Sequence, residues 1–321
     1  MKPIQIELPT FFEAMTVNTW LFIDPEPTLI DCGEKTEKSW TALEKGLQKY
    51  GLKIGDIKRV IITHAHLDHI GMAGKIAENS DAKVWVNEYV YPWTQELKKH
   101  LDLRSQAILS AMKPNLPEEW FKKFTEFGYK MLHPFWDEIP KEKVEIFPMS
   151  GQLSIGGSNW EIVHTPGHCL NQTCFFNPEN GYFLSADMLM RMIPSPIIDA
   201  ELSPPHKRVK SLVMQMKSYH KIAQLNISTT FPGHLAAFED ANELIRKQIQ
   251  KVEVRKNKCL ELIQKGVNKV IDIIQYIYPG RVNDATIFMV IGLLDILKEE
   301  DKIEQIEENG KYYYVEKIYS A

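Results

Sequence analysis

Short apolar runs separated by prolines and glycines organise the first 240 positions. Thr19-Trp20-Leu21-Phe22-Ile23, a Pro25-Glu26-Pro27 turn and Thr28-Leu29-Ile30-Asp31 predict an antiparallel hairpin ended by Cys32-Gly33. The period then changes. Trp40, Leu43, Leu47 and Tyr50 recur at spacings of three and four, which predicts an amphipathic helix over 36–50. Arg59-Val60-Ile61-Ile62 reads as a strand of β-branched residues buried on both faces. A helix start follows at 70–78, where Gly71, Ala73 and Gly74 are small, and another strand at 83–87. Strand patterns resume at 144–147 and continue through 152–155, 160–165, 172–176 and 181–185. A helical pattern over 207–225 and a strand at 227–231 complete this part.

Two regions depart from this alternation. Residues 88–143 are helical in pattern but interrupted by Pro92, Pro114, Pro117, Pro134 and Pro140. Their large apolar groups include Tyr89, Tyr91, Trp93, Leu97, Leu101, Trp120, Phe121, Phe124, Phe127, Tyr129, Phe135 and Trp136. Such a segment packs on the main body and also forms a cap over an apolar substrate pocket. Beyond 241 the apolar spacing is helical at 260–263, 270–278 and 285–297. Two strand-like runs, 302–306 and 312–315, then flank Glu308-Asn309-Gly310-Lys311, a β-hairpin signal. Three helices and a hairpin look like a winged helix. The chain therefore divides into a body, 1–242, with 88–143 as a helical cap insertion, and a winged-helix-like domain, 243–321.

Composition narrows the function classes. A length of 321 residues allows a full core and two domains. Hydrophobic and charged contents of 44% and 25% are ordinary for a soluble protein. The net charge of −4 gives no global case for a nucleic-acid or membrane-surface partner. No secretory signal and no 18-residue apolar stretch is visible. Cys32, Cys169, Cys174 and Cys259 are scattered without a CxxC pair, which fits reduced thiols in a cytoplasmic protein.

The candidate chemistry is concentrated in Thr63-His64-Ala65-His66-Leu67-Asp68-His69, three imidazoles and a carboxylate within six positions. Such groups are rarely buried together without a partner that neutralises and ligates them, and a divalent metal does both. The cluster lies between a strand and a helix, where α/β folds place their chemistry. Later strand ends each deliver one more donor: His168 after Thr165-Pro166-Gly167, Asp187 after Ser185-Ala186, and His234 after Phe231-Pro232-Gly233. The Pro-Gly pairs fit tight turns that aim a side chain off a strand end.

With these motifs the chain resembles the metallo-β-lactamase-fold hydrolases over residues 10–240. The resemblance implies an α+β fold, a four-layer αββα sandwich. By the same resemblance His64, His66 and His168 ligate one metal, Asp68, His69 and His234 a second, and Asp187 bridges both. The complete set departs from the one-iron sulfur dioxygenases of this fold and lies closer to glyoxalase II and lactonase-like enzymes. Imidazole and carboxylate suit two zinc ions, with iron or manganese as substitutes. The expected reaction is attack of a metal-bound hydroxide on the carbonyl of a small ester, thioester or lactone, with Asp68 as proton carrier. Asp31, Thr63 and His164 are candidates to orient the ligands. Residues 243–321 do not resemble the C-terminal domain of glyoxalase II. Met190 also stands where acyl-homoserine lactonases commonly carry a tyrosine.

Lactamase-like endoribonucleases carry a similar C-terminal module, which makes metal-dependent RNA cleavage the alternative. Charge weighs against it: 241–321 holds thirteen basic and thirteen acidic residues, and a nucleic-acid reader shows a basic face. The third helix is mostly apolar. The basic residues Arg246, Lys247, Lys251, Arg255, Lys256 and Lys258 read as a solvated face. The favoured partner is a small-molecule substrate rather than nucleic acid or membrane. The C-terminal module is expected to pack on the body or to pair subunits as a homodimer.

Overall fold

The computed structural model describes residues 2–10, 16–119, 121, 136–192, 196 and 198–318. The first sheet contains β1 (Ile4–Pro9), β2 (Thr16–Phe22), β3 (Thr28–Ile30), β4 (Arg59–Ile61), β5 (Lys83–Asn87) and β6 (Val144–Phe147), side by side in that order. β1 to β3 are antiparallel, and β3 to β6 are parallel. The second sheet contains β7 (Ser150–Ile155), β8 (Ser158–His164), β9 (Thr173–Asn177), β10 (Tyr182–Ala186) and β11 (Thr229–Pro232), ordered β11-β10-β9-β8-β7. Trp20, Phe22, Ile30 and Ile61 from the first sheet and Trp160, Ile162, Phe175, Leu184 and Phe231 from the second form one buried cluster between them. Alternation of side chains along each strand leaves a second apolar face for helices to cover.

Helices α1 (Glu37–Gln48), α2 (Leu67–Ile70) and α3 (Ala73–Glu78) cover the first sheet. α1 begins at Thr36, whose side chain accepts from the Ser39 N–H, and buries Leu43 and Leu47. Tyr50 lies past its end and is exposed, so the apolar stripe is one turn shorter than the spacing predicts. The insertion supplies α4 (Tyr91–Gln95) and α5 (Leu97–Met112). Its Trp93, Leu97, Leu101 and Trp136 join the core of the first sheet, so these groups pack on the body. Trp120, Phe124, Phe127, Tyr129, Pro134 and Phe135 lie outside the described residues. On the second sheet, α6 (Ser211–Ile222) buries Tyr219 and Ile222, together with the start of α7 (Ala241–Gln264). The four layers are those expected.

The remainder is α8 (Val270–Ile277), α9 (Asp284–Glu299) and the hairpin β12 (Ile303–Glu308) and β13 (Lys311–Glu316). Asn309 and Gly310 both take positive φ, 52° and 72°, as the two-residue hairpin turn requires. α7 runs through the expected boundary at 242/243. Its Ala241, Leu244 and Ile245 belong to the core of the second sheet, while Val252, Cys259, Leu262 and Ile263 pack with the C-terminal helices. α9 is the centre of this unit, with every residue from Thr286 to Leu297 buried. It presses on α6 so closely that a Cβ on Gly292 would sit 2.6 Å from Leu212 Cβ. Arg208 spans the same junction and donates to both oxygens of Asp295 at 2.7 Å. Ala107, Ala111 and Met112 of α5 share this cluster, so insertion and C-terminal helices have a common core.

Candidate metal centre

The strand-to-helix connection after β4 generates the first four donors through its backbone. The chain bends through 63–65 and is extended at His66 (φ −113°, ψ 149°), which brings the His64 and His66 rings to 4.6 Å centroid to centroid. α2 then starts, and its first turn brings the His69 ring to 4.1 Å from that of His64. The His66 side chain makes no cap hydrogen bond to this helix.

Three later strand ends complete the site. β8 leads through Pro166-Gly167 to His168. β10 ends in a register shift against β11 at Leu184/Ala186, and Ala186 adopts φ 43°. Such a bulge re-aims the next side chain, here Asp187. β11 leads through Gly233 to His234. A Cβ on Gly233 would lie 2.2 Å from Asp187 Oδ1 and 2.8 Å from His69 Cε1, so only glycine fits there. Asp31 and Leu235 also have positive φ, 59° and 68°. Strain at non-glycine residues of this kind concentrates at functional sites.

The donors fall into two groups that share Asp187. In the first, His66 Nδ1 is 3.0 Å from His64 Nε2 and 2.9 Å from His168 Nε2. In the second, His234 Nε2 is 3.3 Å from Asp68 Oδ2, and His69 Nε2 is 3.7 Å from the same oxygen. Asp187 reaches both: Oδ2 is 3.5 Å from His168 Nε2 and 3.3 Å from His234 Nε2, and Oδ1 is 3.3 Å from His69 Nε2. Ligand atoms on one tetrahedral zinc are about 3.3 Å apart, given bonds of about 2.0–2.1 Å. All seven residues expected from the sequence are therefore brought together at metal-ligand spacing.

Hydrogen bonds fix which ring nitrogen faces the site. Thr63 Oγ1 donates its one hydrogen to Asp31 Oδ2 at 2.8 Å. At its 2.9 Å contact with His64 Nδ1 the ring must therefore donate, which leaves Nε2 with a lone pair. His69 Nδ1–H donates to Asp31 Oδ2 at 2.8 Å, and His234 Nδ1–H donates to the Thr16 carbonyl at 2.8 Å. Asp31 is held in turn by the Thr63 N–H at 2.8 Å. Ligating imidazoles are oriented in this way by partners on the far nitrogen. At the centre, His69 Nε2 and Asp187 Oδ1 are buried and make no hydrogen bond. Orphaned buried atoms are costly, and a cation between them satisfies both. The residues fit a metal.

The electrostatics agree. Burial and the neighbouring His69 push the His64 pKa well down, and burial with His168 does the same to His66. Burial opposes charge on His69 and His234 as well, but the carboxylates outweigh it. Asp187, Asp68 and Asp31 push His69 well up, and Asp187 with Asp68 pushes His234 up to about 10. His64 and His66 are thus poised as neutral imidazoles, and His69 and His234 are held in a strong anionic field. Asp68 is the more accessible carboxylate, with 24% of its side chain exposed against 6% for Asp187.

Asp31 and Thr63 occupy the orienting positions expected of them. His164 does not: its Nε2–H donates to the Leu170 carbonyl at 3.0 Å and its ring packs on Tyr89. Sequence reasoning missed the Thr16 carbonyl, which as a backbone group carries no residue signal. It also passed over Cys169 and Asn171. The Cys169 thiol lies within 4.8 Å of donors on His64 and His66 and donates to Asn171 Oδ1 at 3.2 Å. All four cysteines are buried and unpaired. Burial pushes the Cys169 thiol well up.

Comparison with known proteins agrees with this architecture. Residues 13–234 match the metallo-beta-lactamase superfamily. A protein of Bacillus subtilis (strain 168), named probable metallo-hydrolase YqjP, is 24% identical over 316 residues, 97% of each chain. Hydroxyacylglutathione hydrolase GloC of Haemophilus influenzae is 25% identical over 142 residues, 42% of this chain and 51% of that one. A metallo-beta-lactamase family protein of Thermus thermophilus superposes over 98% of both chains with a TM-score of 0.77 at 20% identity. With its His and Asp donors gathered at the strand ends of a four-layer sandwich, the chain belongs to the metallo-beta-lactamase superfamily and is a hydrolase of that family.

Proposed function

We propose that the protein is a binuclear metal-dependent hydrolase acting on the carbonyl of a small ester, thioester or lactone. The position of Asp187 carries this reading, because its two oxygens reach His168 of one group and His69 and His234 of the other. His64, His66 and His168 would hold one divalent ion, Asp68, His69 and His234 the second, and Asp187 both. Zinc suits these donors, and iron or manganese accepts them too. When bound, the ions supply Lewis acidity that activates water and polarises the scissile carbonyl.

The chain's own groups do the rest. Asp31, Thr63 and the Thr16 carbonyl keep the three rings turned with Nε2 inward. Asp68 Oδ2 faces His234 and His69, which leaves Oδ1 to take a proton from the attacking water and pass it to the leaving group. The accessible Asp68 and half-buried His66 mark the side from which substrate enters.

Support for a carbonyl over an RNA phosphodiester comes from α9. A recognition helix must present side chains to a groove, and α9 buries twelve consecutive residues against α5, α6 and its own unit. The basic residues of α7 are partly neutralised: Lys247 pairs with Glu243, Lys258 with Glu261, and Lys256 is buried against Glu253 and Glu300. One relative is named a hydroxyacylglutathione hydrolase, which also supports an acyl substrate. A panel of thioesters, lactones, phosphodiesters and short RNAs tests this. Turnover of a carbonyl substrate, lost in His66→Ala, is expected. RNA cleavage without ester, thioester or lactone turnover would overturn it.

A further inference from the structure

The buried face of α5 runs through Leu97, His100, Leu101, Ala107 and Ala111, and Arg104 sits in the middle of it. A guanidinium on a buried helix face is costly unless it is paired and hydrogen-bonded. Arg104 is both. Its Nε and Nη2 donate to the two oxygens of Asp199 at 3.3 and 3.4 Å, and Asp199 is itself buried. Its plane lies over the Trp93 ring, 4.0 Å from the centroid, and Trp93 stacks on Trp136. Asp199 already balances the charge, yet Nη1 makes one more bond. It donates to the Ala65 carbonyl at 3.3 Å.

Ala65 separates His64 from His66, and its carbonyl belongs to the peptide that enters His66. The Ala65 N–H is held as well, by Asn171 Oδ1 at 3.1 Å. Both sides of this residue are therefore pinned, one from the insertion and one from the loop after His168. α5 is anchored at its far end, where Lys311 Nζ donates to the carbonyls of Lys113 and Leu116 at 3.0 and 2.7 Å. The Tyr312 N–H donates to the Pro114 carbonyl at 3.0 Å.

We propose that Arg104 is a positioning residue that sets the His64–His66 segment for metal through the Ala65 carbonyl. Without that bond the peptide can turn, and His66 Nδ1 no longer holds its place beside His64 and His168. The inference rests on the two-metal reading above. It gives the insertion a direct hold on the first group of donors.

The test is a Zn2+ titration of the metal-free full-length protein against a chromophoric chelator, with thermal unfolding recorded alongside. Arg104→Lys keeps a charge for Asp199 but loses the planar fork, and Arg104→Met removes both. The wild type should take up two equivalents. In Arg104→Lys one of the two should bind about 10–100-fold more weakly, the usual cost of losing a group that orients a ligand, while the other keeps its affinity. Arg104→Met should weaken the same equivalent at least as much. A merely structural role would lower the unfolding midpoint and leave both affinities at the wild-type value, and that result in Arg104→Lys overturns the proposal. A wild type that takes up one equivalent overturns the two-metal reading instead, and Arg104 is then judged on whether that equivalent weakens. A wild type that takes up none overturns both.

Discussion

At the scale of single residues the site is defined as much by what cannot be added as by its donors. Gly233 is pressed between Asp187 and His69, so Gly233→Ala must push the Asp187 carboxylate aside. Activity of Gly233→Ala should fall by about 10–100-fold or more with the fold retained, read as kcat/KM beside a circular-dichroism spectrum. Wild-type activity would show that Asp187 is free to move. The seven residues that the fold brings together were legible in the sequence because metal-binding side chains are of a few types and stand after strand ends, and those types are visible without coordinates. Their orienting partners were legible only in part. Asp31 and Thr63 stand beside motif positions, whereas the Thr16 carbonyl is backbone and Arg104 is one basic residue among many. Its only signal was its place on an apolar stripe.

Between elements, the informative junction is α6 with α9. Apolar periodicity predicts each helix, and it predicted the hairpin from Asn309-Gly310. It cannot say which helix lies at the centre, because a helix apolar on most sides and one apolar on a stripe differ by a few residues. The glycine at 292 and the pair Arg208–Asp295 settle the packing here: α9 lies hard against the catalytic body. Arg208→Met leaves the Asp295 carboxylate, 4% exposed, without its partner. That should cost about 3 kcal/mol, read as a lower urea midpoint at unchanged m-value. A loss below about 0.5 kcal/mol, the range of a surface substitution, would mean that the junction contributes little. The continuous α7 and the core shared with α5 tie the C-terminal unit, the insertion and the body together.

For the whole molecule the decisive property is charge at the centre of the sandwich. In the metal-free protein His69 is pushed well up by its carboxylates and His234 up to about 10, so both rings carry protons at neutral pH. A raised histidine pKa stabilises the metal-free fold fully below the unfolded value, and that contribution fades as pH rises through the folded one. Metal must displace those protons. Zinc affinity should therefore increase as pH rises from neutral toward about 10, the folded value of His234, with proton release, measured by calorimetry in two buffers of different ionisation enthalpy. A pH-independent affinity would contradict the protonated second group. The elements were legible at this scale because strand and helix periods alternate along the chain, and the four-layer fold followed from the family resemblance that the donor motifs carry. Substrate identity was not, since the donors specify hydrolysis and say nothing of what lies above them. No described helix is long and apolar enough to cross a membrane. The most direct test of the two-metal site is elemental analysis of the purified wild type and Asp187→Ala after loading with zinc and gel filtration. Two zinc ions per chain in the wild type, and fewer than two with no hydrolysis in Asp187→Ala, are the expected result. One ion per wild-type chain, or full metal content and activity in Asp187→Ala, would contradict it.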